Sequence, residues 1–187
     1  MSSMLPLWHR RGWLALLPAL VLAGCASAPT RPPIDDPAAR HYSGRLAVRV
    51  AGDDSRSFSA GFELHGTPDQ GRIALNSPLG LRLGEAAWRA DRATLHGPDG
   101  QREFDGLESL SEALFGDSIP IEALFDWLAG RPYPDVASRP LDGTAEQGFR
   151  QLGWDVRTTR LPTDGLLIAE RRTPEPVVTV RIKLDTP

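Results

Sequence analysis

The residue types best suited to catalysis and metal binding are few in this sequence and stand far apart. Of its four histidines, three follow the only cysteine: His41, His65 and His96. None belongs to an HExxH pattern or has a second ligand at helical spacing, which argues against a zinc site. No Gly-x-Ser-x-Gly elbow or glycine-rich phosphate loop occurs, and the carboxylates fall mainly in predicted turns and on polar faces. We therefore predict no enzymatic activity, no metal and no cofactor.

The thiol of Cys25 is the one side chain whose surroundings point to a covalent modification. A positive segment, His9-Arg10-Arg11, precedes an apolar run over 13–22 that is too short to span a bilayer as a helix. The run ends in Leu22-Ala23-Gly24-Cys25, which resembles the bacterial lipobox. This resemblance implies cleavage before Cys25, diacylation of its thiol and acylation of the new amino terminus. The alternative is an ordinary signal peptide with a chance cysteine.

These features divide the chain into three predicted segments. We expect a lipoprotein signal peptide over 1–24, an acylated cysteine with a proline-rich tether over 25–40, and a folded domain over 41–187. Buried acyl chains contribute about 0.8 kcal/mol per CH₂, so several chains anchor a protein stably. By resemblance to lipoproteins of Gram-negative bacteria, Ala26 in place of Asp favours the periplasmic face of the outer membrane.

The segment over 73–83 predicts a β-hairpin with an unusual tip. Alternating apolar residues flank Ser77-Pro78-Leu79-Gly80, in which Pro presets the turn and Gly suits its last position. Leu79 stands where turns normally carry Asn, Asp or Gly. Either Leu79 folds back onto its own strands, or it is an apolar probe for a membrane or an acyl chain. The hairpin alone leaves both interpretations open.

Alternation of apolar and polar residues predicts a series of strands around this hairpin. The first has Leu46, Val48 and Val50 on one face. Because the predicted connections are too short for crossovers, neighbouring strands must be antiparallel. The other predicted strands lie within 57–64, 85–88, 93–96, 102–104, 152–156, 166–168 and 178–184.

After residue 104 the spacing of apolar residues changes from that of a strand to that of a helix. Asp105 and Glu108 have the spacing of a capping box, and Gly116 is placed to end the helix. The apolar stripe of this helix is Leu107, Leu110 and Leu114.

A second predicted helix begins near Pro120, which is tolerated in a first turn, and ends at Gly130. Helical phase directs Asp126 away from Leu124 and Leu128. The stripe of this helix is Ile121, Leu124, Phe125 and Leu128, widened by Trp127.

Together these elements predict one mainly β (α+β) domain, an incomplete antiparallel β-barrel with helices over its apolar face. The 18 glycines and 17 prolines suit many short strands joined by turns. The net charge is −3, and the Lys and Arg residues are scattered along the sequence, which argues against nucleic-acid binding. Whether the interior is a packed core or a ligand cavity is not determined by the periodicity.

Several motifs, in order, resemble the LolB family of outer-membrane lipoprotein receptors. They are Gly44-Arg45-Leu46-Ala47 at the first strand, Asn76-Ser77-Pro78-Leu79-Gly80 at the hairpin, and Ile119-Pro120-Ile121 through Leu124, Trp127-Leu128, Gly130 and Pro132. The resemblance covers about residues 42–184 together with the lipobox.

The resemblance implies a half-barrel whose helices lid an apolar cavity for acyl chains. It further implies that the protein accepts acylated lipoproteins from the periplasmic carrier LolA and inserts them into the outer membrane without ATP. The insertion loop would be Pro78, Leu79 and Gly80, and we expect a monomer. Candidate cavity residues are Leu46, Val48, Phe58, Phe62, Ile73, Leu75, Leu81, Leu83, Leu110, Leu114, Leu124, Phe125 and Leu128.

Two departures and two alternatives accompany this resemblance. The segment before the first strand is short for the family's N-terminal helix, and the chain ends soon after Leu184, which puts the cavity volume in doubt. A static envelope lipoprotein with a packed barrel, serving for docking or scaffolding, is the main alternative. A hydrolase would require a pocket carboxylate or histidine with a perturbed pKa.

Overall fold

The computed structural model describes residues 36–89, 92–134, 136–141 and 146–185. The predicted signal peptide over 1–24, Cys25 and most of the tether over 25–40 lie outside these ranges. Within them, no helix combines the length and the apolar character needed to cross a membrane.

Eleven strands form one sheet in the described part of the chain, in the order β6-β5-β4-β3-β2-β1-β11-β10-β9-β8-β7. Every neighbouring pair is antiparallel. The edge strands β6 and β7 do not pair, so the sheet is open and the predicted incomplete barrel is confirmed. The strands are β1 (Arg40–Val50), β2 (Asp53–Gly66), β3 (Gln70–Asn76), β4 (Arg82–Arg89), β5 (Arg92–Gly97), β6 (Gly100–Phe104), β7 (Arg139–Pro140), β8 (Gly148–Gln151), β9 (Trp154–Arg157), β10 (Leu166–Arg171) and β11 (Val178–Leu184).

Three helices accompany the sheet: α1 (Leu107–Phe115), α2 (Ile121–Trp127) and the short α3 (Leu161–Asp164). As predicted, Gly116 ends α1 in the left-handed conformation, with φ +73°, and its N–H donates to the carbonyl of Glu112. The predicted capping box is wrong. The helix begins one residue later than expected, so Gly106 is the N-cap and no side chain caps it. The cap of α2 is Pro120, which precedes the first turn instead of lying inside it.

We call the face of the sheet that bears Leu46, Val48 and Val50 the inner face, because these side chains are buried there. Their in-register neighbours on β11 and Ala60 on β2 are buried beside them, as strand alternation requires. The stripes of α1 and α2 pack on this face and join one continuous apolar core. The prediction that the two helices cover the apolar face of the sheet is therefore confirmed.

The aromatic side chains of α2 connect the two halves of the open sheet. Phe125 meets Trp88 of β4 edge to face, with ring centroids 6.2 Å apart. Trp127 packs against Phe149 of β8 and Trp154 of β9 at 6.4 and 6.5 Å. Aromatic pairs in this range add to the free energy of area burial. Helix α2 thus fills the centre of the concave side.

Two buried polar side chains hold α2 in place. Gln151 accepts from the indole N–H of Trp127 at 3.0 Å and exchanges hydrogen bonds with the backbone of Tyr133. Asp126 is buried, contrary to the outward direction expected from helical phase, because Arg40 and Arg131 reach it at 3.1 and 2.9 Å. A buried carboxylate is tolerated when it is paired in this way.

Candidate functional site

The turn between β3 and β4 is closed by three hydrogen bonds. The N–H of Gly80 donates to the carbonyl of Ser77 at 2.9 Å, and the N–H of Ser77 donates to the carbonyl of Leu81 at 2.8 Å. The hydroxyl of Ser77 accepts from the N–H of Leu81 at 3.1 Å. Gly80 has φ +80°, a conformation that glycine adopts without strain. The backbone of Leu79 is therefore held firmly at the tip.

The side chain of Leu79 is 88% exposed, so it does not fold back onto its strands. Leu81 and Leu83 follow at 67% and 45% exposure. The fourth exposed large apolar side chain of the described residues, Leu152 at 44%, lies in the distant β8–β9 turn. Three of the four are therefore concentrated in one hairpin.

A β-bulge changes which face these leucines occupy. Leu75 pairs with Gly84 and Asn76 with Arg82, which leaves Leu83 as the extra residue. The guanidinium of Arg82 forms an ion pair with the carboxylate of Glu85, at 3.2 Å, on the face of the sheet opposite the core. The extra residue brings Leu83 to the inner side, whereas an unbroken strand would have placed it with Glu85.

A cavity of about 360 Å³ opens on this inner side, within the size range of small-ligand sites. Its walls come from β2, β3, β4, α1 and the β5–β6 hairpin. The lining residues are Phe58, Ser59, Leu75, Leu83, Gly84, Leu95, Gly97, Pro98, Asp99, Gly100, Arg102, Ala113 and Leu114.

The predicted cavity residues separate into three groups. Four of them line this cavity, namely Phe58, Leu75, Leu83 and Leu114. Leu81 is exposed beside it. The remaining eight are buried in the packed core: Leu46, Val48, Phe62, Ile73, Leu110, Leu124, Phe125 and Leu128.

Sequence reasoning missed the wall formed by the β5–β6 hairpin and Gly84. Glycine inside a strand commonly marks a place where another group approaches closely, and Gly84 was such a signal. A β-carbon at Gly84 would lie 3.6 Å from Cδ1 of both Leu95 and Leu114. Because glycine has no side chain, the space beside residue 84 remains part of the cavity.

Ionic contacts fix the end of α1 that borders the cavity. Asp117 lies just after α1. Its carboxylate forms ion pairs with the guanidinium groups of Arg56 of β2, at 3.1 Å, and of Arg171 of β10, at 2.8 Å. The hydroxyl of Ser111 also accepts from the N–H of Ile119 at 2.8 Å. The α1–α2 connection is therefore tied to two distant strands, which positions Ala113 and Leu114 over the cavity.

Titratable groups of the described residues do not assemble into an acid–base or metal site at this cavity. No group of three His, Cys, Asp or Glu residues in the described ranges could hold a metal ion. The pKa of His65 is lowered by burial, and Arg72 and His41 add to the effect, but its ring lies on β2 beside His41 and does not line the cavity. What the arrangement can do is bind apolar material and present it at an exposed apolar hairpin.

Comparison with known proteins gives one consistent result. The family model described as "Outer membrane lipoprotein LolB" matches residues 39–185. Several relatives carry the name outer-membrane lipoprotein LolB. The protein of Bordetella petrii is 31% identical over 96% of this chain and 94% of its own length. Those of Chromobacterium violaceum and Cupriavidus pinatubonensis are 34% and 36% identical, over 79% and 82% of this chain and 81% and 79% of their own lengths.

Proposed function

Since the chain belongs to the LolB family of outer-membrane lipoproteins, we propose that it accepts acylated lipoproteins from a LolA-type periplasmic carrier and inserts them into the outer membrane. The family role is that of a lipoprotein receptor at the outer membrane. For this chain we further propose anchoring through acylated Cys25, action as a monomer, and transfer without catalysis or ATP.

The observation that carries the proposal is the continuity between the cavity and the exposed hairpin. Leu83 lines the cavity, and the exposed Leu81 and Leu79 follow it along the hairpin to the tip. An acyl chain held in the cavity therefore has an apolar surface along which to leave. The bulge in β4 starts this path, because it turns Leu83 to the cavity side.

The energetics suit passive transfer. Apolar burial contributes roughly 25 cal/mol per Å², so an acyl chain enters an apolar cavity without a catalyst. Full burial of one leucine contributes only about 2 kcal/mol. Contact of Leu79 with a bilayer would thus be weak and reversible, while the acyl anchor keeps the domain near the membrane.

The proposal is tested with a chain that lacks residues 1–24 and carries Cys25→Ala, so that no acyl chains of its own are present. A labelled lipoprotein is supplied on the purified carrier of the same organism, without nucleotide. We expect stoichiometric transfer to the soluble chain.

Absence of transfer, with both proteins folded by circular dichroism and cargo still on the carrier, would contradict the receptor function. It would favour the docking or scaffold alternative, which the packing of eight predicted cavity residues into the core supports. In that case the chain should also exclude an apolar probe dye.

A further inference from the structure

The register of β1 and β11 gathers four cations on the outer face, the face of the sheet opposite the core. Arg45 lies directly opposite Lys183, Arg181 faces Ala47, and Arg49 faces Thr179. All four cationic side chains are exposed. We call Arg45, Arg49, Arg181 and Lys183 the basic patch. These residues are distant along the chain, so only strand pairing brings them together.

Three of the four cations of the basic patch lack an ionic partner among the described residues. No carboxylate there lies within ion-pair distance of Arg45, Arg49 or Arg181, and Lys183 donates to the backbone carbonyl of Asp164. Like charges directly opposite each other on a sheet are unfavourable. Most other arginines are paired: Arg40, Arg56, Arg82, Arg131, Arg150, Arg157, Arg160, Arg171 and Arg172. Arg89 also lies directly opposite Arg92, so it is not the lack of partners but the position in the sheet that distinguishes the basic patch.

Strand pairing also relates the basic patch to the leucine hairpin. One row across the sheet runs from Lys183 through Arg45 and Gly61 to Asn76, the last residue of β3. Strands β1 and β3 run in the same direction, since both are antiparallel to β2. From this row, β1 continues to Arg49 in the direction in which the 77–80 turn projects. The basic patch and Leu79 therefore occupy the same end of the sheet.

The outer face changes charge along the strands. Beyond the Lys183–Arg45 row, away from the Leu79 tip, the outer face carries Glu63 and Asp185, which line a groove with His41 and Ser43. This order holds on β1, β2 and β11, whose cations lie toward the apolar tip and whose carboxylates lie away from it. This polarity would orient the domain at a negatively charged surface, even though the whole chain has a net charge of −3.

We propose that the basic patch binds the anionic phospholipid headgroups of the bilayer that Leu79 contacts. Cationic side chains near an anionic leaflet are attracted to it within a Debye length of about 10 Å. An apolar group in the bilayer together with cations at headgroup level is a common pair of signals for membrane binding. The inference rests on the proposed membrane contact of Leu79 and adds the lipid class that the receptor prefers. A lipid surface is favoured over an acidic protein because the patch shares its end of the sheet with the leucine tip.

The test is vesicle binding by the unanchored Cys25→Ala chain, without carrier or cargo. Vesicles of neutral phosphatidylcholine are compared with vesicles that also contain phosphatidylglycerol. The test variant carries Arg45→Gln, Arg49→Gln, Arg181→Gln and Lys183→Gln. A matched control carries Arg72→Gln, Arg89→Gln, Arg92→Gln and Arg139→Gln, which remove the same charge outside the basic patch.

We expect the parent chain to bind anionic vesicles more tightly than neutral ones, with the difference disappearing at high salt. The test variant should lose about tenfold or more of its affinity for anionic vesicles, at roughly 1 kcal/mol for each cation that reaches the surface. The control variant should stay within about twofold of the parent. Thermal melts of all three chains establish that each is folded.

Equal loss in the two variants would overturn the proposal, because it would reflect net charge alone. Unchanged vesicle binding by the test variant would also overturn it. If that variant then failed to accept cargo from the carrier, the basic patch would instead be a contact for an acidic surface of the carrier. Failure of the receptor function itself remains distinguishable, since vesicle binding is measured without cargo.

Discussion

At the scale of single residues, Leu79 is the side chain whose position and chemistry agree most closely. The turn hydrogen bonds hold its backbone, and 88% of the residue faces solvent. An exposed leucine at a rigid tip contributes nothing to the core, so its substitution separates function from folding. This makes Leu79 a better functional probe than any buried leucine of the sheet.

We expect Leu79→Glu to leave the free energy of unfolding within about 0.5 kcal/mol of the parent, as for other exposed positions. Delivery of cargo into liposomes should fall strongly, because a carboxylate at the tip cannot enter the apolar region of a bilayer. The measurement is the amount of labelled lipoprotein recovered with liposomes. Leu152→Glu, a change at the exposed leucine of the β8–β9 turn, is the control and should deliver normally. Normal delivery by Leu79→Glu would refute the membrane role of this residue.

At the scale of elements, the bulge in β4 and the lid helix α1 together define the cavity. The bulge directs Leu83 and Gly84 to the same space, and α1 covers it with Ala113 and Leu114. The ion pairs of Asp117 keep the end of α1 against β2 and β10. The cavity therefore depends on how three separate elements meet.

Gly84 provides a direct test of the cavity. A leucine there would place its side chain between Leu95 and Leu114 and fill space that an acyl chain would need. We expect Gly84→Leu to reduce cargo acceptance from the carrier several-fold while the chain remains folded. Gly84→Ala is the matched control, since its single methyl group meets neighbours at ordinary contact distance. Undiminished acceptance by a folded Gly84→Leu chain would place the acyl chains elsewhere.

At the scale of the whole molecule, an open sheet gains its core by packing both halves against α2. Trp88, Phe125, Trp127 and Trp154 join the two halves through one helix. This arrangement leaves the cavity at one side of a solid core instead of at its centre. Stability and ligand binding are thereby separated: most of the apolar area stabilises the fold, and a smaller part is left for cargo.

The pH dependence of stability provides a test at this scale. The pKa of His65 is lowered below its ordinary value of 6.5, mainly by burial, so the unfolded chain binds the proton more readily than the folded chain. Stability should therefore be unaffected by this residue above about pH 6.5 and should fall as the pH drops below it. We expect His65→Gln to reduce that fall in thermal melts. The carboxylates with lowered pKa, such as Asp155, titrate below about pH 4 and do not contribute to the start of this fall. An identical fall in both chains would contradict the assignment to His65.

Much of the fold could be predicted because its signals are local. Alternation predicted the strands, Pro78 with Gly80 predicted the turn, and Gly116 predicted the end of α1. Each depends on residues within a few positions of one another. The exposure of Leu79 did not follow from the turn alone, because its side chain could also have folded back onto the strands.

The sequence alone determined the order from β1 to α2, the turn that presents Leu79 and the single cysteine of the chain. It missed β7, β8 and α3, and the strand predicted over 152–156 was wrong at Leu152, which lies in the β8–β9 turn. Only the tertiary structure decided that a bulge turns Leu83 to the cavity side, that Asp126 is buried with Arg40, and that Arg45 lies opposite Lys183. It also separated the cavity residues from those of the packed core, which share the same alternation. The physical reason is that side-chain periodicity depends on local backbone geometry, whereas register, bulges and voids depend on pairing between segments far apart in the chain.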